Sequence, residues 1–176
     1  MAMGDTLILG LGNPLRGDDG LGPAVVEWLR RQGLPPGTVV IDGGTGGLDL
    51  VLTMMGYRRV LIVDAAELGR APGAWACFRP DLARVETMEA AFSMHQAGLA
   101  EALALGAALR VLPEEVVIFG VQPAQTGWAP GLSAEVQAVV PVVGQEILRT
   151  LASSPQVGGR DRYETGSEYG EDSDHR

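Results

Sequence analysis

Asp19, Asp42 and Asp64 each stand at or just beyond the end of a short apolar run, and His95 stands at the start of a helical one. Carboxylates and imidazoles are the side chains that move protons near neutral pH and hold divalent ions, so a site built from them suits hydrolytic or metal-assisted chemistry. Each Asp also has a plainer role open to it, because aspartate caps helices and stabilises turns. Three of them after three successive strands point further. In a doubly wound sheet those strand exits share one edge, outside which the ligand crevice lies. Ser93-Met94-His95-Gln96 has the spacing of a capping box, which puts His95 in a first helical turn. There the helix dipole disfavours imidazolium and leaves a neutral ring for a metal. The alternative is a histidine bonded to its neighbours at a helix start. His175, the other histidine, lies near the C-terminus.

The stretch that must position Asp19 is Leu7 to Gly22, LILGLGNPLRGDDGLG. Its apolar start suits a buried parallel strand, Pro14 ends the ladder, and Gly17-Asp18-Asp19-Gly20 supplies turn residues before a helix. Leu21 to Gln32 has Leu21, Val25, Trp28 and Leu29 at helical spacing, with Pro23 in the first turn and Gly33 as a stop. TVVI (38–41) predicts a second strand ending at Asp42. The glycine-rich turn 43–47 leads to a short helix over 48–55, and VLIV (60–63) predicts a third strand ending at Asp64. Residues 74–78 read as an edge strand, antiparallel to its neighbour. A helix after Ser93 buries Leu99, Leu103 and either Ala107 or Leu109. VVIFGV (116–121) is the last strong strand and leads into a long loop over 122–131. Ser133 caps a final helix to about Leu151 with Val136, Val139, Val140, Val143 and Ile147 inward and Pro141 bending it. The reading is one domain over 1–153 and a disordered acidic tail over 154–176, where glycine, serine and charge replace the apolar residues.

Composition removes several classes of function. The net charge of −9 argues against nucleic acid or an anionic membrane as a partner. All 13 basic residues are arginine, so a P-loop lysine and a Schiff-base lysine are both absent. Cys77, the single cysteine, forbids an internal disulfide and any CxxC site, and its surroundings, Ala74 to Phe78, suggest strand packing. With no long apolar span and no signal-peptide pattern at the start, the expected location is the cytoplasm.

In order and spacing, GLGNPLRGDDGLG, DGGTGGLDL, VLIVDA, SMHQAGL, GVQP and GLS resemble the hydrogenase maturation protease family. The resemblance runs from about Leu7 to Leu151. It implies an α/β three-layer sandwich, with a twisted, mostly parallel five-stranded sheet and helices on both faces. It further implies an endopeptidase that removes a C-terminal peptide from the large-subunit precursor of a nickel-iron hydrogenase. By motif position Asp19, Asp64 and His95 would hold the metal, which is nickel carried by the substrate, with another divalent ion as a surrogate. Asp42 would act at the cleavage site or on a substrate loop. The partner implied is the precursor itself, and the protein is expected to be a monomer. Two carboxylates and one imidazole are too few for a closed structural site, which leaves positions for substrate or water.

Two other functions share parts of this pattern. GLGNP also opens peptidyl-tRNA hydrolases, but Arg16-Gly17-Asp18-Asp19 stands where a catalytic histidine would be expected, and the acidic chain suits RNA poorly. A dinucleotide-binding module would use Gly10 and Gly12, although the third glycine of GxGxxG is missing and Pro14 interrupts the turn.

Overall fold

The computed structural model describes residues 5–80 and 97–153 and the backbone of 164–166. His95, with Ser93 and Gln96, lies outside the described residues. The chain begins with β1 (Thr6–Gly10), a single 3-10 turn (Gly17–Gly20) and α1 (Leu21–Arg30). It continues through β2 (Thr38–Asp42), α2 (Asp49–Met54), β3 (Arg59–Ala65) and β4 (Trp75–Phe78). The remaining elements are α3 (Ala97–Leu109), β5 (Glu115–Val121), α4 (Ala134–Ala152) and β6 (Glu164–Gly166).

The strands form one sheet in the order β2-β1-β3-β5-β4-β6. The pairs β1–β2, β1–β3 and β3–β5 are parallel, whereas β4 runs antiparallel to both β5 and β6. The five expected strands are present. The sixth, β6, lies within the stretch expected to be disordered, so that expectation fails at Glu164–Gly166, and β4 is not the edge. The rest of 154–176 is outside the described residues.

Period-two alternation divides the core into two layers. Ile8, Leu61 and Val117 are register partners whose side chains join the cluster beneath α1 and α4, with Leu21, Val25, Leu29, Val143 and Ile147. One residue on, Leu9, Ile62 and Ile118 join the opposite cluster with Leu50, Met54, Leu99 and Leu103 of α2 and α3. The inward face expected for α4 is as found, and Ser133 caps it through its Oγ to Val136 N–H. On α3, Ala107 packs against the core and Leu109 is exposed. Cys77 is buried in the α1–α4 layer.

The amino-terminal edge of the sheet holds a buried ion network. Arg59 Nε lies 2.7 Å from Glu115 Oε2, and Arg79 Nε donates to Glu115 Oε1 at 2.9 Å. Arg59 Nη1 also donates to the Ser153 carbonyl at 3.1 Å, tying the end of α4 to the start of β3. No described helix is long and apolar enough to cross a membrane.

Candidate active site

At the opposite, carboxyl-terminal edge, β1 leaves the sheet through a turn closed by its own chain. Leu11 N–H donates to the Val63 carbonyl at 2.9 Å, which keeps the backbone beside β3 for one residue more. Gly12 then adopts a φ of +125°, and a Cβ there would lie 1.7 Å from the Asp19 carbonyl oxygen. Only glycine lets Asp19 come so close. Gly22 serves the same junction from the helix side, because a Cβ on it would lie 2.1 Å from the Leu11 carbonyl oxygen. Asp19 is thereby pressed against the strand exit, where its Oδ2 accepts the Asn13 N–H at 2.9 Å. A phosphate-cradling turn would keep such N–H groups open to its ligand, so this geometry counts against the dinucleotide-binding alternative.

Asp64 is the penultimate residue of β3, within the strand and not after it. Asp19 and Asp64 are 4% and 3% exposed, and both line one cavity of about 180 Å³. Burial, and next the negative charge of Asp19, push the Asp64 carboxyl up to about 8, against a backbone hydrogen bond from Ala65 that favours ionisation. Two carboxylates lining one cavity, one of them with its ionisation pushed up toward the neutral range, can hold a proton or receive a divalent cation.

Asp42 is not in that cavity. It ends β2 beside Gly10, is exposed, and its Oδ1 accepts Gly44 N–H at 3.0 Å, an Asx turn that shapes the glycine loop. That loop does reach the cavity, through Thr45 and Gly46, and is tied to β1 by Gly43 N–H to Gly10 O and Gly12 N–H to Gly44 O. His95 cannot be placed, since it precedes the first described residue of α3, although Leu99 of that helix lines the cavity. Among the described residues no group of three or more metal-binding side chains occurs.

Several participants have duties that the sequence reading does not assign; for Asp18 it gives only a turn residue beside Asp19 at the strand exit. Asp18, fully buried, is not available to a ligand. Its oxygens accept Ala124 N–H, Gln125 N–H, Ser133 N–H and the Ser133 hydroxyl at 2.6 to 3.0 Å. It fastens the loop after β5 to the turn that carries Asp19. Gln122 clamps the neighbouring loop: its Oε1 accepts Leu68 and Arg70 N–H, and its Nε2 donates to Glu67 and the Pro123 carbonyl. Arg16 and Trp128 also line the cavity, with the guanidinium 5.4 Å from the ring centroid. The motif letters GDD and GVQP contained Asp18 and Gln122, but a hydrogen-bond partner over 50 residues away leaves no local signature.

The hydrogenase maturation protease family model matches residues 23–150. The hydrogenase expression/formation protein HupD of Rhizobium leguminosarum bv. viciae is 32% identical over 149 residues, covering 84% of this chain and 74% of that one. HupM of Azotobacter chroococcum mcd 1 is 38% identical over 120 residues, and the matched part spans 68% of this chain and 57% of HupM. Among solved structures, the hydrogenase maturating endopeptidase HybD from E. coli superposes with a TM-score of 0.74 at 30% identity, over 84% of this chain and 91% of that one.

Proposed function

Because the chain belongs to the hydrogenase maturation protease family, we propose that it is an endopeptidase that removes a C-terminal peptide from the nickel-loaded large-subunit precursor of a nickel-iron hydrogenase. The observation that carries this reading is the pairing of Asp19 and Asp64 in one cavity at the carboxyl edge of the sheet. The donor set fits a substrate-borne divalent ion. The negative charge of Asp19 disfavours ionisation of Asp64, and a cation held by the two would relieve that repulsion while meeting oxygen ligands. Asp19, Asp64 and His95 are the residues proposed to hold it, with Asp42 shaping the substrate loop. Nickel held by these residues would supply Lewis acidity toward a carbonyl or a water molecule.

The protein's own contribution is positioning and proton handling. Asn13 N–H fixes one Asp19 oxygen, and Leu11, Leu50 and Leu99 limit water around the pair. Asp64, ionising near pH 8, can keep or release a proton under the conditions in which an amide is cut. The thiol of Cys77 packs in the other core layer and takes no part in this reading.

The test is incubation of the purified protein with nickel-loaded and nickel-free precursor, with the released peptide identified by mass spectrometry. Release from the nickel-loaded form only, abolished in Asp19→Asn and His95→Ala, is the expected result. Equal cutting of both precursor forms would remove nickel recognition, and no cutting of either would remove the proposed activity.

A further inference from the structure

Arg16 is the one cationic side chain among the described residues lining the cavity. Its guanidinium lies against the ring of Trp128, a residue 78% exposed, and its Nε is buried without a hydrogen-bond partner among the described residues. That Nε is shielded, so the part of Arg16 that lines the cavity, and not Nε, is what an entering acceptor would meet. The two carboxylates lining the same cavity do not provide that acceptor: the Asp19 oxygen with a described partner takes Asn13, and neither Asp19 nor Asp64 bonds Arg16. The backbone keeps Arg16 in place. It forms an isolated parallel bridge with Ala129, Gly17 N–H donates to the Ala129 carbonyl at 2.6 Å, and Asp18 anchors the same loop on its other side. The Arg16–Trp128 pair is thus held by two segments that meet only in the fold.

We infer that Arg16, braced on Trp128, is a specificity-determining residue that receives a planar oxygen acceptor of the substrate chain, a main-chain carbonyl or a carboxylate, beside the Asp19–Asp64 pair. The guanidinium is a flat fork of donors, and stacking on an aromatic ring fixes its plane at low entropic cost. A cavity of about 180 Å³ holds little of a protein substrate, so a contact at its mouth is needed to set which bond comes to rest over the carboxylates. The inference rests on the endopeptidase reading above.

The experiment measures kcat and KM of precursor cleavage for the parent, Arg16→Lys, Arg16→Ala and Trp128→Ala, each checked for an unchanged melting temperature. The expected result is a rise of about tenfold in KM for both Arg16 variants and a smaller rise for Trp128→Ala, with kcat within about twofold of the parent. Lysine is expected not to rescue, because it keeps the charge and loses the fork. If Arg16→Ala fails to fold, the exposed Trp128→Ala and the charge-conserving Arg16→Lys carry the test. Ionic strength separates the two acceptors: a carboxylate makes the parent KM salt-sensitive, and a carbonyl leaves it nearly flat. A parent that cuts while the variants keep its KM overturns this inference alone. A parent that cuts nothing overturns the proposed function and this inference with it.

Discussion

Asp18 and Asp19 are chemically identical neighbours with opposite duties, and the difference lies in who donates to them. Asp18 spends its oxygens on three backbone N–H groups and a hydroxyl. Asp18→Ala is therefore expected to cost at least about 3 kcal/mol in urea unfolding, because buried N–H groups lose a charged acceptor. Asp19→Ala removes a single described hydrogen bond and is expected to cost about 1 kcal/mol. Asp64 gives a pH signature. Its carboxyl ionises near 8 in the folded protein and near 3.8 in an unfolded chain, so the folded state holds the proton more tightly. The stability it contributes is complete below about 4 and is lost as the pH rises through about 8. In metal-free buffer the parent's melting temperature should fall more between pH 5 and pH 9 than that of Asp64→Asn. A parallel decline in both proteins would show that Asp64 is not the group responsible. Asp19 and Asp64 were legible in the sequence because strand exits mark one edge whatever the loops do. The duties of Asp18, Arg16 and Trp128 were not, since they depend on where the loop after β5 lands.

At the scale of elements, the junction of β1, its exit turn and α1 leaves no room for a Cβ at Gly10, Gly12 or Gly22. Gly12→Ala demands a displacement of the Asp19 backbone and a positive φ that alanine resists. The expected outcome is a loss of at least about 2 kcal/mol in denaturant unfolding, with cleavage falling further than stability because Asp19 moves. Parental stability and cleavage in Gly12→Ala would show the turn to be plastic. This junction also explains what could be read in advance. β1, β3 and β5 announce themselves as unbroken apolar runs because both faces of a parallel strand are covered, and α1 and α4 show their inward stripes. β6 offers no such signal. Glu164–Gly166 has no apolar alternation, and its place in the sheet comes from backbone pairing with β4.

Across the whole molecule, the two edges of the sheet are specialised differently. The carboxyl edge keeps two carboxylates in one cavity with no ion pair to either among the described residues, while the amino edge pairs Glu115 with Arg59 and Arg79. Glu115→Ala strands two guanidinium groups and is expected to destabilise the fold by about 3–5 kcal/mol, yet to leave the KM of the folded enzyme unchanged. A shifted KM at full folding would mean that the edges communicate through β3 and β5. The exposed ring at the cavity mouth carries one more consequence, a spectroscopic one. Trp28 packs against Gly144 and Trp75 is buried, so Trp128 is the indole whose emission reports on solvent at the rim. A Trp28→Phe, Trp75→Phe protein would keep that single fluorophore beside the guanidinium. Its colour would then show when a substrate has entered, before any bond is broken and without a dye.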